Sequence, residues 1–317
     1  MTSPSPSTET HGRPAGRVAV VGSANIDTTV HVHASPKPGE TVEALSWASD
    51  IGGKGVNQVV AAARAGADAV FIGGVGDDEA GATVARTLER EGIDIRGLAR
   101  GVAPTGAAII TVTPDGENTV VLMAGANSEW RVTDEVLGFG IERADLVVTQ
   151  AEVPARIQRQ ITRVARAQRK PVMFTAAPVA AAAIDVLPAV TFLFVNEEEA
   201  LQLSGLNSFD EAIAALSSRV MEHGYCVGTR GGREILAATA GRIALRVAPP
   251  RVESPTDTTA AGDTFAGWCA ARLAEGATME EAIREASLAA ALSVTRAGAT
   301  SSIPRREEIG SDARPHT

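Results

Sequence analysis

The chain has 317 residues, 44% of them hydrophobic but only 3% aromatic, and a formal net charge of −9. That length and apolar content suit one large α/β domain, or one domain with a small appendage, and the negative charge argues against nucleic acid and anionic membrane as partners. No apolar run approaches the ~20 residues of a membrane span. Residues 1–16 (MTSPSPSTETHGRPAG) lack the basic start and apolar centre of a secretory signal and read as a disordered tail, so the expectation is a soluble, cytoplasmic protein. Cys226, in a predicted strand, and Cys269, in a predicted helix, are expected to be buried thiols and not a disulfide.

Arg17–Val21 is a short apolar run ending in Gly22-Ser23, which reads as a central strand delivering a loop. That loop carries Asn25 and Asp27, two apart, so both point the same way in extended backbone. Past the C-terminal end of a strand they stand where α/β proteins place ligands, although Asn and Asp are also ordinary turn formers. Two segments of period-two character follow at 28–33 and 41–48, split by Pro36-Lys37-Pro38-Gly39; they predict a small β flap. His31 and His33 have no acidic or cysteine neighbour that would complete a metal site and read as exposed strand residues. Gly52-Gly53-Lys54-Gly55-Val56-Asn57-Gln58 then opens a helix through Arg64. Its spacing is not that of a Walker P-loop. Two glycines and the two-sided amide of Asn57 suit a hydroxyl-rich small molecule, the alternative being a plain Gly-rich strand–helix turn.

From here strands and helices alternate. A strand at 69–72 leads to a helix ending near Glu91, and two β segments at 105–113 and 118–123 flank an Asp115-Gly116 hairpin turn. A helix near 133–140 precedes a strand at 146–149 that ends in Gln150-Ala151-Glu152. A helix at 155–168 and strands at 172–175 and 192–195 follow, the last running into Asn196-Glu197-Glu198-Glu199 and a helix. A helix at 209–223, a strand at 225–228, the loop Thr229-Arg230-Gly231-Gly232, a hairpin at 235–247 and helices at 263–274 and 279–295 complete the pattern. The alternation predicts a three-layer α/β/α, mostly parallel sheet, with the β-only insertions at 28–48 and 105–123 forming a separate lid.

The stretch Asp257-Thr-Thr-Ala260-Ala261-Gly262-Asp263-Thr-Phe-Ala-Gly267 is a small-residue turn running into a helix. Its backbone amides can approach a ligand closely, and the helix start adds the positive end of its dipole. Together they form a receptor for an anion, with phosphate the expected one. Asp263 inside such a site either caps the helix or accepts a hydroxyl proton during phosphoryl transfer. The polar motifs all fall at strand ends or helix starts, which this architecture gathers at one edge; that convergence favours the catalytic reading. A dinucleotide-dependent enzyme would need Gly-x-Gly-x-x-Gly after the first strand, where this chain has Gly22-Ser-Ala-Asn-Ile-Asp.

These motifs, in this order, resemble the ribokinase-like carbohydrate kinase family (the phosphofructokinase-B type) from about Arg17 to Ile309. Both family signatures are present, Gly52-Gly53-Lys54-Gly55-x-Asn57 and Asp257-Thr-x-Ala-Ala-Gly262-Asp263-x-Phe-x-Gly267. Further matches are Gly22-Ser-x-Asn25-x-Asp27, Pro38-Gly39-Glu40-Thr41, Thr105-Gly106-x-Ala108, Ala124-Gly-Ala-Asn127, Asn196-x-x-Glu199, Thr229-x-Gly231 and Val294-Thr-Arg-x-Gly298-Ala. Agreement is nearest the ribokinase branch.

The resemblance implies an ATP-dependent kinase. Asn25, Asp27, Gly53, Lys54, Asn57, Ala108 and Glu152 match sugar-holding positions, Asp263 the catalytic base, and Ala260, Ala261 and Gly262 the anion hole. Asn196, Thr229, Gly231, Gly232 and Gly262 match nucleotide-binding positions, with Glu199 holding Mg²⁺ through water. Asp257, Thr259, Ser293, Arg296, Gly298 and Ser302 match a monovalent-cation site, for K⁺, built largely from backbone carbonyls. A homodimer through the β lid is also implied. The chain departs from the family's Asn-Pro-Ala-Pro-like segment at Thr175-Ala176-Ala177-Pro178, where a hydroxyl replaces the family's amide. The expected acceptor is D-ribose at its 5-hydroxyl, because the lid segments contain one aromatic residue, Trp47, and so provide poorly for stacking a nucleoside base. The alternatives are 2-deoxyribose, 2-keto-3-deoxygluconate, fructose or adenosine, or a catalytically silent sensor that would have no reason to keep Asp263.

Overall fold

The computed structural model describes residues 15–309 apart from 102, 116, 181 and 182. The tail read at 1–16 therefore lies almost wholly outside the described residues, as does Gly116 of the expected hairpin turn. In chain order the elements begin β1 (Arg17–Val21), β2 (Asn25–His31), β3 (Ser46–Gly52), α1 (Lys54–Arg64), β4 (Asp68–Gly76), α2 (Glu79–Arg90), β5 (Asp94–Gly101), β6 (Gly106–Val112) and β7 (Asn118–Met123). They continue with α3 (Ala126–Glu129), α4 (Asp134–Glu142), β8 (Leu146–Gln150), α5 (Ala155–Ala167), β9 (Val172–Thr175), α6 (Ala183–Val186), β10 (Phe192–Asn196), α7 (Glu197–Ser204) and α8 (Phe209–Ser217). The chain closes with β11 (Tyr225–Arg230), β12 (Arg233–Thr239), β13 (Arg242–Val247), α9 (Ala261–Ala274) and α10 (Met279–Ser293).

Nine strands form one sheet in the order β13-β12-β11-β10-β9-β8-β1-β4-β5. It is parallel from β5 to β11, with β12 and β13 added antiparallel as a hairpin. β1 sits inside it, and Val18, Ala19, Val20 and Val21 are all fully buried, as expected of a strand covered on both faces. Val18 and Val20 pack with α1, α9 and α10 on one face, whereas Val21 joins residues of α4, α5 and α8 on the other. Helices on both faces of a largely parallel sheet give the three layers read from the sequence. Both cysteines are buried and free, and burial pushes both thiols well above their ordinary range.

The second sheet has the order β3-β2-β6-β7, with β2 and β6 parallel and the outer pairs antiparallel. It is the separate β unit expected from the two insertions, but its boundaries differ. β2 already starts at Asn25, so Asn25 and Asp27 stand on a strand, not on a loop. β3 covers 46–52 instead of 41–48 and runs directly into α1, with Gly53 at the junction in the left-handed region (φ 86°). β5 was not expected at all: its sequence, DIRGLARG, has no apolar run, and the strand closes the edge of the large sheet, where charged residues are tolerated.

Two close backbone approaches aim the site. A Cβ at Gly55 would stand 2.5 Å from the Ser23 nitrogen and 2.6 Å from the Gly22 carbonyl carbon, so α1 begins against the exit of β1. A Cβ at Gly267 would strike the Gln58 carbonyl oxygen and stand 2.5 Å from the Ala61 Cβ. α9 therefore lies hard against α1, which brings residue 263 on one helix beside residues 57 and 58 on the other. Among the described residues no helix is long and apolar enough to cross a membrane.

Candidate active site

Asp263 stands in the first turn of α9 and is buried. It does not cap its helix: its Oδ2 accepts a hydrogen bond from Asn57 Nδ2 (3.0 Å) and its Oδ1 one from Gln58 Nε2 (2.9 Å), both from α1. The carboxylate is held by neutral amides in a fixed orientation. Gln58 is itself fixed by Gln150 at the end of β8, whose Nε2 donates to Gln58 Oε1 at 2.8 Å. Gln58 also reaches Thr175 Oγ1 at 3.3 Å, so the hydroxyl at the position that departs from the family pattern joins the same network. Neither Gln58 nor Gln150 is assigned a role by sequence alone; their signal is only a polar residue beside Asn57 and one at a strand end.

The start of α9 has no side-chain cap, and Ala260 before it adopts the left-handed region (φ 58°). The Ala261 amide turns back to Thr258 O at 3.3 Å, whereas the Gly262 and Asp263 amides of the first turn are available to an anion. They open on a cavity of about 240 Å³ lined by Ala260–Asp263, Lys54, Thr175, Asn196, Glu199 and Thr229, among others. Lys54 has its pKa raised above the ordinary lysine value, chiefly by the charge of Asp263 against the opposing effect of burial, with Glu152, Glu199 and Asp27 adding to the rise. It remains an ammonium ion at any working pH, one cation among four carboxylates.

Asn196 and Glu199 form a capping box on α7: Asn196 Oδ1 accepts from the Glu199 amide and Glu199 Oε2 from the Asn196 amide, each at 2.8 Å. This leaves Glu199 Oε1 for the cavity, and burial above all raises the Glu199 pKa. Gly231 and Gly232 turn the β11–β12 hairpin and are not among the residues lining the cavity.

On the other side of Asp263 lie the polar residues of the small sheet. Asn25 is buried and its Oδ1 accepts from Asn127 Nδ2 (2.8 Å), while Asn127 also pairs with both backbone groups of Ala24. Asp27 faces Ala108 across the β2–β6 pair and Asp50 across β2–β3. Glu152 accepts from the Lys54 amide (3.0 Å) and from the Ser23 hydroxyl, tying the start of α1 to the loop after β1. Two buried acceptors here, Asp27 Oδ1 and Asn57 Oδ1, have no hydrogen-bond partner in the protein. Orphaned acceptors of this kind call for donors, and a ligand rich in hydroxyl groups supplies them.

The residues expected around a monovalent cation also come together. Asp257 accepts from the Thr259 amide and from the Gly298 amide, both at 2.9 Å, and the amides of Thr256 and Asp257 bond to Val294 O. The Arg296 guanidinium turns away to Glu308 (2.5 Å), and the Ser293 and Ser302 hydroxyls bond to Ala290 O and Ala299 O. His31 is exposed at the end of β2 and His33 just beyond it, and among the described residues no cluster of three or more His, Cys, Asp or Glu is arranged to hold a metal.

Uncapped helix start, oriented carboxylate and enclosed lysine together define a phosphotransferase-like site, and the chain belongs to the pfkB family of carbohydrate kinases, whose family model matches residues 15–306. It is 35% identical to the ribokinase of Haemophilus influenzae over 298 residues, covering 92% of this chain and 96% of that protein. It is 32% identical to the ribokinase of Bacillus subtilis, covering 92% and 97%. The structure of Arabidopsis thaliana ribokinase complexed with ribose and ATP superposes with a TM-score of 0.85 at 28% identity, covering 93% of this chain and 97% of that one.

Proposed function

We propose that this protein is an ATP-dependent kinase that transfers the γ-phosphoryl group to the 5-hydroxyl of D-ribose, giving ribose 5-phosphate and ADP. The observation that carries the reading is Asp263, a buried carboxylate at an uncapped helix start, oriented by two amides instead of capping its own helix. ATP lies on the cavity side and the sugar on the side of Asn25, Asp27, Asn57 and Glu152. As the hydroxyl oxygen forms its bond to phosphorus and the bond to the ADP oxygen breaks, the hydroxyl proton passes to Asp263. An ordinary carboxylate suffices, because a loose transition state needs little prior activation of the nucleophile. The amides at the start of α9 and the Lys54 ammonium meet the charge of the moving group, preorganised donors of a kind commonly worth a few kcal/mol. Glu199 Oε1 suits a hydrated Mg²⁺, an ion that keeps much of its water and draws its other ligands from substrate phosphates. When bound, that ion neutralises phosphate charge. The small sheet acts as the lid, excluding water that would compete as acceptor.

The experiment is a panel: kcat/KM for ribose, 2-deoxyribose, fructose, 2-keto-3-deoxygluconate and adenosine under one condition. Ribose is expected to lead, and 2-deoxyribose to suffer because it leaves a buried acceptor unpaired. Any other acceptor ahead of ribose by tenfold, ~1.4 kcal/mol of transition-state binding, would remove the ribose assignment and leave the kinase standing.

K⁺ is the further cofactor in this reading, held by carbonyls around Asp257 and the 293–302 segment. That loop leads straight into the anion hole, so its geometry sets the hole. Replacing K⁺ by Na⁺ at fixed ionic strength should lower the rate; indifference to the swap would dismiss the site as functional. A homodimer through the lid accounts for the exposed apolar side chains of Leu45, Trp47, Ile109 and Val120–Met123, which lie on or beside that sheet, Trp47 being 70% exposed. Sedimentation equilibrium at micromolar concentration tests this, a monomer being the adverse outcome.

A further inference from the structure

The turn from Gly298 to Ile303 is held from three directions. Asp257, at the entrance to the anion hole, accepts the Gly298 amide (2.9 Å). Arg64, in the last turn of α1, donates from Nη1 to the carbonyls of Thr300 (2.8 Å) and Ile303 (2.6 Å), while its Nε and Nη2 pair with Glu91. The third hold comes from the small sheet. Asp50 Oδ2 accepts from the amides of Ala299 and Ser301, both at 3.1 Å, and from the Ser301 hydroxyl at 2.7 Å. Its Oδ1 accepts the Ile51 amide (2.8 Å) and stands 3.2 Å from the Thr300 hydroxyl, which is also 3.1 Å from Ile51 O. The side chain of Asp50 thus spends its acceptor capacity almost entirely on one turn of a different part of the fold.

Its place in the small sheet gives these contacts a direction. Asp50 is paired in register with Asp27, two residues before the Gly52 that ends β3. The Asp27 carboxylate is packed so closely on Gly52 that any side chain there would collide with it. A shift of the turn therefore reaches Asp27 by a short covalent and hydrogen-bonded path: turn amides, Asp50, strand β3, Gly52. A short hydrogen-bonded path through a rigid strand is a physical route for coupling only if both ends bias one arrangement. Here one end is the loop that faces the expected cation and the other the carboxylate that faces the sugar.

We infer that Asp50 is a positioning residue that latches the lid to the 298–303 turn, so that sugar affinity depends on the arrangement of that turn. The inference rests on the reading of the 257 and 293–302 segments as a monovalent-cation site. By linkage, a cation that favours the latched turn raises ribose affinity, and ribose raises cation affinity by the same factor. Asp50 meets neither ligand and carries the coupling between them.

The test uses the full chain and two variants, Asp50→Asn and Asp50→Ala, with ribose KM and kcat measured in K⁺ and in Na⁺ at fixed ionic strength. Hydrogen exchange on residues 46–52 is followed in parallel. In the unaltered protein ribose KM should be lower in K⁺ than in Na⁺. In Asp50→Ala that ratio should collapse toward one, ribose KM in K⁺ should rise by about tenfold, and exchange on β3 should quicken; Asp50→Asn, which keeps one acceptor oxygen, should fall between. A ratio and a KM that survive in Asp50→Ala overturn the latch. If the unaltered protein is indifferent to the cation, the cation site fails as a reading and the exchange data decide the latch alone, with faster exchange supporting it and unchanged exchange refuting it.

Discussion

Asp263→Asn is expected to lower kcat by about 10²–10⁴-fold, the range typical for loss of a positioned base, while ribose still binds. The amide occupies the volume of the carboxylate and keeps one acceptor oxygen. Its NH₂ group, however, must face one of two donors, Asn57 Nδ2 or Gln58 Nε2, so one hydrogen bond becomes a donor–donor contact. Gln58 cannot flip to relieve this without surrendering its bond from Gln150, but Asn57 can, because its Oδ1 has no partner to lose. The substitution therefore removes the proton acceptor while the side chain stays held, at the cost of a turned Asn57 amide on the sugar side. Ribose affinity by calorimetry and turnover by a coupled assay separate the two effects. A variant that turns over within tenfold of the unaltered protein would show that the carboxylate is not the base.

The parts of this site legible in the sequence are those where chemistry leaves a mark on residue type at short range. Gly53 and Gly55 are glycines because one needs a positive φ and the other a backbone contact that a Cβ would break. The uncapped small-residue turn before Asp263 announced an anion receptor for a similar reason. What was not legible depends on distant packing. Whether Asp263 capped its helix or faced the neighbouring one could not be settled from Gly-Asp alone; it is settled by Gly267, one turn on, which lets α9 sit against α1. Gln58 and Gln150 are unremarkable polar residues until two helices and a strand end bring them into line. Asp50 carries no local signal, because its partners lie some 250 positions further along the chain. β5 escaped notice because an edge strand needs no apolar run. Asn196 and Glu199 show the converse: a motif read for its ligand chemistry also performs a local duty, the capping box of α7, and only the remaining Glu199 oxygen is open to a hydrated ion.

Asp27 should make ribose binding depend on pH near neutrality. Its pKa is raised from 3.8 to about 7, first by burial and then by the charges of Glu152, Asp50 and Asp263, against a smaller opposing hydrogen bond from the Gly53 backbone. Lys54, in the same group of charges, favours the ionised form without restoring an ordinary value. In the sugar-free protein the carboxyl is thus about one-tenth ionised at pH 6 and about nine-tenths at pH 8. A sugar hydroxyl donated to the orphaned Oδ1 is accepted much more strongly by the ionised carboxylate than by the neutral acid. Ribose KM should therefore fall by nearly tenfold from pH 6 to pH 8 and level off above, with a proton released on binding below the midpoint. Stability has the opposite sign. A carboxyl whose folded pKa lies above its unfolded one contributes stability that is complete below pH ~4 and is lost as pH rises through about 7. Asp27→Asn abolishes both dependences: the sugar-free variant should gain in Tm relative to the unaltered protein as pH rises from 5 to 8. At pH 8 its kcat/KM for ribose should drop by about ten- to 150-fold, the worth of a charge-assisted hydrogen bond at ~1.5–3 kcal/mol. Thermal melts and ribose KM across that pH range, on both proteins, provide the check. A flat ribose KM in the unaltered protein, or a pH-dependent one that persists in Asp27→Asn, would assign the titration to another group and free Asp27 from the sugar.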